Sequence, residues 1–271
     1  MPRAAWPFMS TRRDLDLPLY FLHIPKTAGM SLGAAVESHY PPDAIFRGYL
    51  LPDLLDVPPQ ELAAFRLFRG HFGLVLPRVL RRPLQCVTVL RDPMERVLSH
   101  YLHVRREPAH YFHQRVNRPG YHFSDFIRDP PCRPLIENVQ ARFLVSQDAK
   151  AGDWHPPVEP SHPLHQQVRF ELRPLRMRSG RLRRLALGTL RRALVVGVTE
   201  RLDETIELLD RVMQWAPSGD AGRVNPTPDR PPIEQIERQD LDLVRRLNRV
   251  DIQLHRWAAR RLQRDLSRSR I

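Results

Sequence analysis

The 271-residue chain is poor in cysteine and in lysine, with only Cys86 and Cys132 of the one and Lys26 and Lys150 of the other. Two cysteines exclude a disulfide framework and a cysteine-built zinc site. Nowhere does the sequence approach the roughly 18 uninterrupted apolar residues that a membrane span needs. The first residues, MPRAAWPFMSTRRDLDLP, hold no continuous apolar core of signal-peptide length, so a soluble cytoplasmic protein is expected. Positive charge is not what the shortage of lysine removes. Lys and Arg total 43 against 30 Asp and Glu, a net charge of +13 that arginine carries almost alone. With 27 prolines beside it, this pattern follows a GC-rich coding bias, and such charge speaks to solubility and anion attraction, not to fold. A hydrophobic content of 42% excludes a disordered basic tail. A chain so short of lysine nevertheless keeps Lys26 within a loop of small residues.

Residues 1–18 read as a loose polar arm and 19–265 as one domain. The apolar run Leu19 to Ile24 has the length of a buried strand. PKTAGMS follows it, and then SLGAAVESHY, in which Leu32, Ala35, Val36 and His39 recur at helical spacing. Prolines mark a loop-rich excursion over 41–60, and 65–71 alternates like a strand end. Gln85 to Leu90 is a second buried run. After it, Asp92 is placed to cap a helix with Pro93 at its first position and Glu95 closing a capping box. Residues 107–135 and 148–165 read as long irregular loops, and ENVQARFLVSQ between them as a short helix. A basic helical segment over 173–192 feeds the strand 194–198. Then come an amphipathic helix capped by Thr199, a Pro and Gly loop over 216–232, and a last helix carrying Leu243, Leu247, Val250, Leu254 and Trp257. Alternating strands and helices predict a three-layer αβα, P-loop-like domain around a largely parallel sheet.

Two segments carry chemistry. Pro25-Lys26-Thr27-Ala28-Gly29-Met30-Ser31 lies between a strand end and a helix start, where small residues let backbone amides approach an anion. Gly29 can supply a positive φ, Lys26 a compact charge, and Thr27 and Ser31 hydroxyls. The lysine precedes the glycine, unlike the GxxxxGK[ST] pattern. VTVLRDPMERVLSHY puts Arg91 at a strand's carboxyl end and Ser99 about two turns into the next helix, so that both can hold one anion. Taken singly, each segment also fits a solvated turn or a surface pair of Arg91 with Glu95.

Taken together, LYFLHIPKTAGMSL and VTVLRDPMERVLSHY resemble the sulfotransferase family, in the branch of the heparan 2-O-sulfotransferases and their bacterial relatives. ENVQARFL and VGVTERLDETIELLD are similar to family segments as well. The resemblance implies 3′-phosphoadenosine 5′-phosphosulfate (PAPS) as sulfuryl donor. Pro25–Ser31 would bind its 5′-phosphosulfate, with Met30 where Thr is usual, and Arg91 and Ser99 its 3′-phosphate. The resemblance also puts a catalytic His in a Gly-His step between the loops, which falls on His71. His23 is the runner-up base, inside an apolar strand. Arg69 stands where animal relatives carry a further His, so their acceptor preference does not carry over. The segment Arg223 to Thr227 matches a loop that closes over the nucleotide.

The expected reaction moves a sulfuryl group from PAPS to an acceptor hydroxyl, that of a glycan or glycoconjugate, without a metal and without nucleic acid as partner. His71 would be the general base and Lys26 would stabilise the leaving phosphate. A P-loop-like kinase or phosphotransferase and a non-catalytic anion-binding module are the alternatives. The Arg-dense stretch 169–192 reads as a packed helix with a solvated face, or as a surface for nucleic acid or membrane.

Overall fold

A computed structural model describes residues 9–10, 13–14, 16–146, 161, 165–172, 177–218 and 231–268. Five strands, β1 (Met9–Ser10), β2 (Leu19–Leu22), β3 (Leu67–Gly70), β4 (Leu84–Leu90) and β5 (Val195–Val198), form one sheet. Their pairings are all parallel. Gln85 of β4 pairs with both β1 and β2, and Val87 with both β2 and β5. A strand has two edges, so β1 and β5 share one edge of β4 and β2 takes the other. Beyond β2 lies β3, extended by a parallel bridge from Ile45 to Leu67. Every residue of β2 and β4 is buried, as in a parallel sheet covered on both faces. The two polar side chains of β4 are satisfied: Thr88 donates to the Leu22 carbonyl at 2.9 Å, and the Gln85 amide bonds the backbone of Asp14.

Helices Leu202–Met213 and Arg249–Arg268 pack on β5, giving an α/β fold consistent with three αβα layers. No helix among the described residues is long and apolar enough to cross a membrane. A second hydrophobic cluster lies beside the sheet core. In it, Met94, Val97, Leu98, Tyr101 and Val104 of helix Pro93–Arg106 meet Phe112, Val116, Phe126, Ile127, Leu135 and Ile136. The expected loop over 107–135 is therefore built of short helices, His113–Val116 and Phe123–Arg128, and a 3-10 turn over Pro130–Leu135. Prolines keep each piece to a turn or two, which hides their periodicity.

Other boundaries shift for equally local reasons. Part of the expected loose arm is a strand, since Met9 and Ser10 pair with Leu84 and Gln85. The excursion over 41–60 contains the short helices Leu51–Leu55 and Pro59–Leu62. Thr199 does not cap the helix after β5. A 3-10 turn comes first, and the Thr199 hydroxyl donates to the Leu90 carbonyl at 3.3 Å. The last helix is two, Arg238–Leu247 and Arg249–Arg268, broken at Asn248. Its Oδ1 accepts the Asn138 N–H at 3.2 Å, while Asn138 Oδ1 accepts from Val250 and Asp251 at the start of the next helix. Only Ser161 and helix His165–Leu172 of the expected loop 148–165 and its exit are described, and residues 219–230, with the expected nucleotide loop, lie outside the described residues.

Candidate functional site

Parallel strands deliver their carboxyl ends to one edge of the sheet. Here β3, β2 and β4 are neighbours in that order, and they lead respectively into His71, the loop of Lys26, and Arg91. The fold thus gathers three of the residues singled out above from positions far apart in the chain.

In the first loop the Thr27 hydroxyl donates to the Ile24 carbonyl at 2.9 Å and closes the turn. Lys26 and Ala28 are left-handed, at φ 70° and 60°, and Gly29 is not among the positive-φ residues. Gly29 opens helix Gly29–Glu37, and its role is space: a Cβ there would lie 1.7 Å from His23 Nε2. Left-handed non-glycine residues cost about 1–2 kcal/mol each and concentrate at ligand sites. Here they bend the chain into a helix start, where the first amides have no helical acceptor. Met30 is 54% exposed at this rim, whereas Thr27 and Ser31 are buried.

Arg91 ties the second loop to the first. Its Nη1 donates to the Lys26 carbonyl at 3.3 Å and its Nη2 to Glu95 Oε2 at 3.2 Å. The Gln140 side chain brackets the Arg91 backbone, accepting its N–H at 2.9 Å and donating to its carbonyl at 2.8 Å. Asp92 caps helix Pro93–Arg106, accepting from Met94 and Glu95. The reciprocal bond of a capping box, onto the Asp92 N–H, comes from Glu200 at 2.7 Å and not from Glu95. Ser99 is buried on that helix, and no hydrogen bond joins it to Arg91.

The His71 ring is held from three sides. Nδ1 donates to the His23 carbonyl at 3.0 Å, the ring stacks on His23 at 4.5 Å, and the Tyr49 ring meets it edge-on at 4.7 Å, while the backbone N–H of His71 donates to the Tyr49 carbonyl at 2.9 Å. With Nδ1 carrying the proton, Nε2 holds the lone pair. Burial pushes His71 down to about 4, partly offset by the bond to the His23 carbonyl. His23 is buried, bonded through Nδ1 to the Tyr49 hydroxyl, with Nε2 unpartnered against Gly29. That arrangement makes it a packing and positioning group. Arg69 turns to Glu37 and lies over the Tyr49 ring at 5.4 Å.

Positive charge dominates the neighbourhood. Burial, then Arg106, Arg91 and Arg96, bring Lys26 down to about 8. His100, His103 and His110 form a triangle with ring centroids 6.3, 6.1 and 6.0 Å apart. Burial holds His103 near 4 and His110 near 3, with the Lys26 charge adding to both shifts. Lysine, arginines and neutral imidazoles together are the chemistry of an oxyanion site. Sequence reasoning missed the imidazoles, although Ser99, His103 and Arg106 stand at i, i+4 and i+7 on one helix. It also missed Tyr49, Gln140 and Glu200, whose partners are remote in the chain. Among the described residues no group of His, Cys, Asp and Glu has the geometry to hold a metal ion. Compared with known proteins, the chain matches no family model, and no curated protein is significantly similar to it.

Proposed function

We propose that this chain is a sulfotransferase that moves a sulfuryl group from PAPS to the hydroxyl of a carbohydrate acceptor, on a P-loop-like domain. One observation carries the reading: Lys26, Arg91 and a neutral His71 meet at the carboxyl ends of three adjacent parallel strands, Arg91 bonded to the Lys26 carbonyl. The excess of cationic groups beside a helix start fits a donor carrying several negative charges.

When bound, PAPS supplies the sulfuryl group, whose bond to the 5′-phosphate oxygen breaks as the acceptor oxygen bonds to sulfur. His71 Nε2 takes the proton of the acceptor hydroxyl, a role typically worth about 10²–10⁴-fold in rate. Lys26 Nζ and the amides of residues 27–31 offset the charge left on the phosphate, as preorganised donors do. Arg91 and Ser99 hold the 3′-phosphate.

Calorimetric titration in EDTA with adenosine 3′,5′-bisphosphate, with 5′-AMP as control, tests the reading. The bisphosphate is expected to bind at least about 30-fold tighter, because removing one partner of a desolvated charge pair costs about 2–5 kcal/mol. Arg91→Ala should abolish most of that preference. Equal affinities for the two nucleotides would overturn the assignment, and a requirement for Mg²⁺ and ATP would replace it with phosphoryl transfer.

A further inference from the structure

At the far end of the molecule lies a basic groove that the proposed reaction does not use. Helix Ser179–Arg192 leads into the amino end of β5, so Arg191 stands at the sheet edge opposite the Lys26 loop. Helix Arg249–Arg268 starts beside Asn138 and Gln140, at the Arg91 end, and packs along β5 and along helix Ser179–Arg192. At 1.5 Å per residue, Arg264 is about 20 Å along the axis from Asp251. Between the two helices lies an open surface groove of about 470 Å³, lined by Arg191, Trp257, Arg261, Arg264, Asp265 and Arg268.

Four guanidinium groups here face one carboxylate, and Asp265 is already paired with Arg261. Arg191, Arg264 and Arg268 have no acidic partner among the described residues. Cations in a helix's last turn complement its dipole, which accounts for one at each helix end. The dipole gives no reason for both ends to converge on one concave surface beside an indole. Like charges brought together from two elements repel, and an anion relieves that repulsion. Planar guanidinium forks match phosphate and sulfate oxygens bidentately, and an indole face packs against the ring of a ligand. The volume suits a compact molecule.

We propose that this groove is a second anion site, distinct from the Lys26 loop, for a compact molecule bearing three or more phosphate or sulfate groups, one for each of Arg191, Arg264 and Arg268. It gives the Arg-dense segment a function of its own and does not depend on the chain being a sulfotransferase.

The test is titration of the full chain with inorganic tripolyphosphate at low salt, with the Lys26 loop first saturated by adenosine 3′,5′-bisphosphate. One tripolyphosphate is expected to bind, with a change in Trp257 fluorescence that a Trp257→Phe variant removes. A sulfated disaccharide in a parallel arm distinguishes the sulfate source from the phosphate source. Arg191→Gln combined with Arg264→Gln should weaken binding at least tenfold. Arg183→Gln combined with Arg260→Gln removes the same charge outside the groove and should weaken it less than threefold. Similar losses in the two double variants, or no binding beyond the saturated loop, would overturn the site. If the bisphosphate itself fails to bind, the sulfotransferase reading falls, while tripolyphosphate still reports on the groove through Trp257 and the arginine variants.

Discussion

His71 and Lys26 are both displaced toward their neutral forms, because burial strips solvent from each and the surrounding cations oppose a further positive charge. In the proposed reaction the two shifts act oppositely. A base must be unprotonated, and a value near 4 keeps His71 ready far into the acid range. A lysine that stabilises a leaving phosphate must be protonated, and a value near 8 withdraws it early on the alkaline side. kcat/KM, which reports the free enzyme's groups, should therefore rise through pH 4, stay flat to about pH 7, and fall through pH 8. An acid limb that persists unchanged in the His71→Asn protein would remove His71 from the role of base. The ring's orientation is set by the His23 carbonyl and by the His23 and Tyr49 rings. Tyr49→Phe, which cuts only the hydroxyl bond to His23, should leave that profile in place and lower kcat less than His71→Asn does. A kcat loss as deep as that of His71→Asn would make the Tyr49 hydroxyl part of the chemistry.

At the scale of elements, the Arg91 loop is held by parts of the chain far away in sequence. Asp251, fully buried at the start of helix Arg249–Arg268, accepts the N–H groups of Gln140 and Ala141 at 3.0 and 2.8 Å. Gln140 then brackets Arg91. Asp251→Ala removes both bonds from helix Val139–Phe143 and should cost about 2–3 kcal/mol, twice the usual loss of one cap, read from the denaturant midpoint. Bisphosphate affinity should fall with it, because Gln140 shifts. Stability within about 0.5 kcal/mol of the parent would show that the clamp is dispensable. Local signals made the two strand–turn–helix units readable: a run of four to seven buried residues, small residues or Asp-Pro at the turn, then helical spacing. The clamp was unreadable, since Asn138, Gln140, Asn248 and Asp251 declare nothing until helices some 110 residues apart are packed. For the same reason Glu200 completes the Asp92 cap where Glu95 was expected.

Across the whole molecule, parallel alternation was legible in the spacing of apolar runs, and with it the side of the sheet on which Lys26, His71 and Arg91 gather. The second hydrophobic cluster was not, because its short helices between prolines carry too few turns to show a period. Helix Pro93–Arg106 joins the two: its cap ends at Arg91 and Glu200, and its apolar face belongs to the second cluster. The anion proposed for the Lys26 loop and Arg91 would thus bear on sheet, helix and cluster together. Ligand that binds only the folded state at 100 times its Kd stabilises by about 2.7 kcal/mol. For a chain of this size that is a rise in Tm of roughly 5–10 °C, at about 2–4 °C per kcal/mol. Differential scanning calorimetry with adenosine 3′,5′-bisphosphate should show one transition moving upward by that amount, with near-ultraviolet circular dichroism following the same curve. The Arg91→Ala protein should move by less than about 2 °C at the same concentration. Two transitions, only one of them responsive to ligand, would mean that the second cluster folds independently of the anion site, and the helix would then couple nothing.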